Sequence, residues 1–272
     1  MLIITQINVG HFNMIYIHPV GGLGNMFFHI ASIYSLAKDN GDELCLLNID
    51  KKIDELINDK RCNLKHANDY KFIFNRFHKT TGNKTKQQYP FKHISLKYIK
   101  EQEYVGYFQT EEYFKHRRKE ILELLKPSIE INNILEKYSD LFGNISIHVR
   151  RGDFAIRYKG IHPTQSIDYY NQALNILPKD KKILIFSDDL EWCKTNFKDK
   201  RCLFIDEIDY ISIYLMSKMK YHIIANSSFS WWGAWLSEYE DKKVVAPNNW
   251  FGGKKTGLDE IMNIIPKNWI RI

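Results

Sequence analysis

Ile145-Ser146-Ile147-His148-Val149-Arg150-Arg151-Gly152-Asp153-Phe154 opens with the two-residue alternation of a strand. Successive side chains of a strand point to opposite faces, so Ile145, Ile147 and Val149 share one face and Ser146, His148 and Arg150 the other. Gly152 permits a sharp turn, and Asp153 can cap the amides that follow or orient an arginine. His148 and Arg150 therefore lie together near the carboxyl end of a strand, where open α/β sheets bind ligands. Two adjacent arginines there suit a phosphate or diphosphate, because a guanidinium is permanently charged and forks onto anionic oxygens. The plainer alternative is a structural Arg–Asp pair at the strand end.

The same unit of short apolar strand, polar or glycine-rich turn and amphipathic helix recurs on both sides. Upstream, Met14–Val20 reads as a strand, Gly21–Asn25 as a tight loop, Asn25–Lys38 as a helix and Glu43–Leu47 as a second strand. Glu111–Leu125 reads as a helix that stops before Pro127. Downstream come a helix at Ser166–Leu177, a strand at Lys182–Phe186, a helix at Asp209–Lys220, a strand at Tyr221–Ala225, a helix at Phe229–Glu238 and a last strand at Val244–Ala246. Continuous apolar strands alternating with helices argue for parallel sheets covered on both faces. The pattern restarts near residue 142, which divides the chain into α/β halves at 1–140 and 141–272. Residues 1–13 read as a lead-in, and the stretch 60–105 has no clear pattern.

Three further segments carry chemistry. Ser187-Asp188-Asp189 ends a buried strand and offers carboxylates to a metal, a base or a ribose, or an N-cap from Ser187 or Asp188 to the next helix. Asn226-Ser227-Ser228-Phe229 ends a strand and begins a helix, whose free amides form an anion site to which the serines add hydroxyls. Trp231, Trp232 and Trp235 just beyond it read mainly as core. Gly21-Gly22-Leu23-Gly24-Asn25 lets backbone approach a ligand, although it is not a full dinucleotide fingerprint. Asn25 caps the helix or reaches the cleft, and His29 shares its face one turn on.

The 272 residues are 44% hydrophobic and 26% charged, which excludes a wholly disordered chain. With 14 Gly, 7 Pro and 4 Cys, collagen-like and disulfide-stapled classes are excluded too. The net charge of +7 is mostly lysine, and Asp69 is the only acid between Lys60 and Lys100. That stretch is either a solvated surface or one that attracts an anionic partner, nucleic acid or glycan. Cys45, Cys62, Cys193 and Cys202 lack metal or redox spacing, and free thiols are expected. The uncharged run Gln6–Ala37 is interrupted by Asn13, Pro19 and the glycines, so no spanning helix is expected. No basic residue precedes its apolar part, so a secretory signal is not expected either. A soluble cytoplasmic protein, with peripheral membrane attachment as a variant, is the expectation.

Taken together and in this order, these segments resemble the α-1,2-fucosyltransferases of glycosyltransferase family 11. The resemblance rests on His148–Phe154 (H-x-R-R-G-D and an aromatic), on Gly21–Asn25 with Met26 where the family pattern has Gln, and on Asn226–Trp235. Weaker matches are Gly106-Tyr107-Phe108-Gln109 before Tyr113-Phe114, and His162-Pro163 before Tyr169-Tyr170. The resemblance implies a GT-B-like α/β fold, with two Rossmann-like halves facing across a cleft. It implies inverting, metal-independent transfer of L-fucose from GDP-β-L-fucose to a 2-hydroxyl of a galactose-like acceptor, without a cofactor. Arg150, Asp153 and Asn25 are then the catalytic candidates. His148, Arg151, Ser187, Asp188, Asn226, Ser227, Ser228 and Phe229 are the donor-binding candidates, and Gly22, Gly24 and His29 lie on the acceptor side. Asp153 and His29 are the candidates for general base. The competing readings are a transferase for another nucleotide-activated deoxysugar, and a non-catalytic basic binding module.

Overall fold

The computed structural model describes residues 13–58, 67–156, 160–253 and 263–272. Residues 1–12 of the lead-in, Cys62, the start of the lysine-rich stretch and the side chain of Asp153 lie outside the described residues.

The chain forms two parallel sheets. The first contains β1 (Met14–Ile17), β2 (Glu43–Leu47), β3 (His78–Thr80), β4 (Thr85–Gln88) and β5 (Gln102–Val105), in the order β3-β2-β1-β5-β4. The second contains β6 (Ile145–Val149), β7 (Ile183–Ser187), β8 (Cys202–Ile205), β9 (Tyr221–Ile223), β10 (Lys243–Ala246) and β11 (Ile270–Arg271), in the order β11-β10-β9-β6-β7-β8. Apolar side chains of β1, β2, β6 and β7 are buried, as strands covered on both faces require. The fold is α/β and GT-B-like.

Strand order decides where a ligand can sit. From β6 the chain moves outward through β7 and β8, then returns to place β9 on the other side of β6. The carboxyl ends of β6 and β9 therefore flank a topological switch point, the general ligand crevice of open α/β sheets. The first sheet repeats the device. From β1 the chain moves out through β2 and β3, and β5 returns to the other side of β1. Gly21–Asn25 follows β1, and Gly106–Gln109 follows β5, so both lie at that second switch point.

One hydrophobic core runs through both halves. The helix Leu23–Asp39 of the first half packs against the helix Ser228–Trp235 of the second. Phe28 meets Trp231 at 4.5 Å, and Phe114 stacks on Trp232 at 5.3 Å. Trp231 and Trp232 are fully buried, so the tryptophan run is core at the junction between the halves. A second core lies on the other face of the second sheet, where Ile145, Ile147 and Val149 meet Tyr170 and Ala173 of the helix Ile167–Ile176.

The structure departs from the sequence reading in several places. The expected helix at Glu111–Leu125 is two single 3₁₀ turns, Glu111–Tyr113 and Lys115–Arg117, before a helix at Arg118–Leu124. Phe114 breaks it: its backbone leaves helical geometry (φ −141°) as its ring enters the cluster with Phe28, Trp232 and Trp235. Gly152 begins a short helix, Gly152–Ile156, instead of a turn. Val244–Ala246 is not the last strand, because Ile270–Arg271 pairs with it. The unassigned stretch supplies β3, β4 and β5. Edge strands β3 and β4 read His-Lys-Thr and Thr-Lys-Gln-Gln and bury almost nothing, so they carry no apolar signal. Lys79 and Lys84 pair with Asp50 and Glu101, and Lys84 also lies over the Tyr16 ring. Cys45, Cys193 and Cys202 are free thiols.

Candidate active site

Arg150 extends from the end of β6. Its Nη1 lies 3.0 Å from Oδ2 of Asp188, which follows β7. The other Asp188 oxygen accepts the Arg151 amide at 2.8 Å. A Cβ on Gly152 would stand 2.6 Å from Asp188 Oδ2, so a side chain there would block this carboxylate. Arg151 points elsewhere: its Nε donates to Asp189 Oδ2 at 3.1 Å, and its guanidinium covers the Trp192 ring at 4.2 Å. The two arginines thus do different work. Arg151 is stacked and paired on the helix Leu190–Asn196, whereas Arg150 lies over Phe154 at 5.4 Å at the mouth of the crevice.

His148 lies on the same face of β6, buried, with its ring 5.3 Å from Phe229. Burial, reinforced by the Arg150 charge, pushes its imidazole down to about 3. It is therefore a neutral ring at physiological pH, and among the described residues its Nδ1 has no hydrogen-bond partner. Ser146, two residues earlier, meets Nδ1 of buried His222 at 2.9 Å.

The acidic segment is resolved by its hydrogen bonds. Asp189, rather than Ser187 or Asp188, is the N-cap: its Oδ1 accepts the Trp192 amide at 3.1 Å. The Ser187 hydroxyl accepts the Asp189 amide at 2.9 Å. Asp188 is left to hold Arg150 and the Arg151 backbone. No group of three or more His, Cys, Asp or Glu with metal-binding geometry occurs among the described residues.

Asn226, Ser227, Ser228 and Phe229 follow β9 beside this site. Asn226 is buried, donating to the Trp250 carbonyl at 3.0 Å and accepting from Gln165 at 3.1 Å, so it braces the loop. Ser227 is the N-cap residue but makes no side-chain cap, and the Ser228 hydroxyl donates to Asn25 Oδ1 at 2.7 Å. Gln109 donates to the same oxygen at 2.8 Å. Asn25 thus joins the loops after β1, β5 and β9, and the switch points of both sheets meet at one side chain.

The glycines divide. Gly22 is exposed with open space around it, whereas a Cβ on Gly24 would lie 2.5 Å from the Phe229 amide. Gly24 is therefore a contact between the halves. His29 is fully buried, and its Nδ1 accepts the Val20 amide at 3.3 Å. Burial pushes its imidazole down to about 4 against a smaller opposite effect of the Gly106 backbone. Arg150, Asp188, His148, Phe229, Ser228 and Asn25 form one connected group, while Asn226 and His29 stand behind it as supports. Asp189, Trp192 and Phe154 were not singled out from sequence. An acidic residue two positions past a strand end, followed by Trp three residues on, was the available cue.

Paired α/β sheets with an arginine and a helix N-terminus at facing switch points define a GT-B-like transferase site. The family model for glycosyl transferase family 11 matches residues 5–272, and the chain belongs to that family. It is 35% identical over 185 residues to an α-1,2-colitosyltransferase of Escherichia coli, covering 62% of each chain. It is 26% identical over 251 residues, 79% of this chain and 66% of the relative, to svh-11 of Caenorhabditis elegans, named provisionally as a galactoside 2-α-L-fucosyltransferase. The chain covers less than two thirds of the length of these relatives. Among solved structures it is similar to NodZ α-1,6-fucosyltransferase soaked with GDP-fucose, at TM-score 0.48 and 12% identity over 85% of this chain and 97% of that one. The chain is a glycosyltransferase of the fucosyltransferase type. The basic-binding-module reading is thereby replaced. No helix among the described residues is long and apolar enough to cross a membrane.

Proposed function

We propose that the chain transfers L-fucose from GDP-β-L-fucose to the 2-hydroxyl of a galactose-like acceptor, with inversion and without a metal. The observation that carries this reading is Arg150, held on Asp188 beside the first turn of the helix Ser228–Trp235. Departure of GDP develops negative charge on the β-phosphate, and a preorganised guanidinium with helix amides stabilises that charge where it forms. Arg150 leads in this role. Ser227, Ser228 and the Phe229 amide line the diphosphate, with Ser187 and Asp188 toward the nucleoside. Asn25 faces the reacting sugar from the first half. His148, neutral and buried, supports Arg150 and Phe229 and carries no proton in the reaction. Buried His29 is a poor base for an exposed acceptor, so Asp153 takes that role.

A second donor has specific support. The 35%-identical relative is named for colitose, so another nucleotide-activated deoxysugar fits the same diphosphate-binding residues. Thermal stabilisation in chelator-containing buffer by GDP, GDP-fucose, GDP-colitose and UDP tests both readings. A ligand at 100 times its Kd adds about 2.7 kcal/mol to a fold that binds it. The proposal expects shifts with GDP and the GDP-sugars and none with UDP. The sugar giving transfer to lactose identifies the donor, and failure of GDP to stabilise the protein overturns the assignment.

A further inference from the structure

We infer that Tyr107 is the stacking platform for the acceptor sugar, an assignment that rests on the glycosyl-transfer reading above. The loop after β5 is strained. Phe108 sits at φ 51°, a left-handed conformation costly for a bulky side chain, and its carbonyl accepts the Thr110 amide at 2.8 Å. The kink separates three consecutive side chains. Phe108 turns into the core against Tyr89, Tyr113 and His29, and Gln109 turns onto Asn25. Tyr107 is left 49% exposed beside them. Strain of this kind persists where the surrounding structure over-determines it, and it clusters at ligand sites.

Tyr107 is also one end of an aromatic row that leads to Arg150. It meets Phe91 edge-on at 4.9 Å; Phe91 meets Phe251 at 5.6 Å, and Phe251 meets His162 at 5.4 Å. His162 stacks on Phe154 at 4.7 Å, and Phe154 underlies Arg150 at 5.4 Å. The row crosses from the first half to the second along the site. Because Tyr107 meets Phe91 edge to face, with 83° between the rings, that contact leaves one of its two ring edges or faces to solvent. Lys92, His93 and Gln109 border the hollow beside it and supply polar groups. A galactose-configured sugar matches this surface. Its axial 4-hydroxyl leaves the opposite face a patch of C–H bonds that packs on an aromatic ring, and its hydroxyls face the polar border.

Tyr107→Ala, Tyr107→Phe and Tyr107→Trp test this, with GDP affinity, acceptor KM and kcat, and saturation transfer from lactose and N-acetyllactosamine to the GDP-bound protein. Stacking predicts that Tyr107→Ala raises acceptor KM about tenfold and weakens saturation transfer, with kcat and GDP affinity unchanged. Tyr107→Phe and Tyr107→Trp restore KM, which a hydrogen-bonding or merely structural tyrosine would not allow. An unchanged KM in Tyr107→Ala, or a loss of GDP affinity in step with it, overturns the assignment. So does absence of galactoside contact in wild-type protein that binds GDP. If wild-type protein does not bind GDP, the transfer reading fails first, and the wild-type titration alone reveals it.

Discussion

Ser228 donates its hydroxyl to Oδ1 of Asn25 at 2.7 Å, joining residues 203 apart in sequence. Gln109 donates to the same oxygen, so Asn25 is the point at which three crevice loops are tied. Asn25→Asp keeps an acceptor oxygen for both donors but adds a negative charge beside the proposed diphosphate. Its folding is expected to be near normal, with GDP affinity reduced about tenfold or more. Asn25→Ala leaves both donors unpaired and is expected to cost about 1–3 kcal/mol. Calorimetric GDP titration and urea unfolding check the pair.

Arg150→Ala is expected to cut turnover by about 100-fold or more, the scale of removing one main transition-state donor. Arg150→Lys is also damaging, because a point charge does not reproduce the fork. Single-turnover assays on folded variants decide it, and wild-type rates in Arg150→Ala would remove this residue from the mechanism.

Gly24→Ala places a methyl 2.5 Å from the Phe229 amide, where backbone must move. The helices Leu23–Asp39 and Ser228–Trp235 are then pushed apart, at a cost of about 1–3 kcal/mol. Gly22→Ala meets nothing and is the control. A lowered Tm and weaker GDP binding in Gly24→Ala alone are the expected readouts.

Burial holds His29 at about 4, and His148 and His222 at about 3, while unfolded histidine titrates near 6.5. Between those values the unfolded chain binds more protons than the native one. Stability is therefore full above pH 6.5 and is lost as pH falls. Each histidine contributes about 2 kcal/mol of loss between pH 7 and 5. Urea midpoints at the two pH values measure it. His148→Gln is expected to flatten the dependence, and an unchanged slope would show that this imidazole protonates freely in the fold.

Asp69-Tyr70 and Asp209-Tyr210 exchange hydrogen bonds across the halves: Tyr70 donates to Asp209, and Tyr210 donates to Asp69 at 3.2 Å. The carboxylates and burial push the Tyr210 phenol up to about 12, so the pair stays a phenol–carboxylate pair at neutral pH. Tyr70→Phe and Tyr210→Phe each remove one charge-assisted bond, at about 1.5–3 kcal/mol. A double-mutant cycle is expected to show coupling, because one latch sets the geometry of the other. Strict additivity would mean that the two bonds act independently.

The sequence alone determined the repeating strand–turn–helix units, the strand ends at Arg150, Asp188 and Asn226, and the family. These features are local: period-two apolar runs, glycine breaks and clustered polar residues are written in consecutive positions. Strands β3, β4 and β5 were not legible, because edge strands of Lys, Thr and Gln are held by hydrogen bonds to a neighbour rather than by their own burial. The 3₁₀ turns around Phe114 were missed because tertiary packing of one ring outweighed the helical pattern. Asp189 and Asp188 looked alike in sequence, and only hydrogen-bond geometry made one a cap and the other the partner of Arg150. Strand order was likewise beyond local pattern. The return of β5 beside β1 and of β9 beside β6 brings the facing crevices onto Asn25, since contacts between residues 203 apart depend on the path of the whole chain.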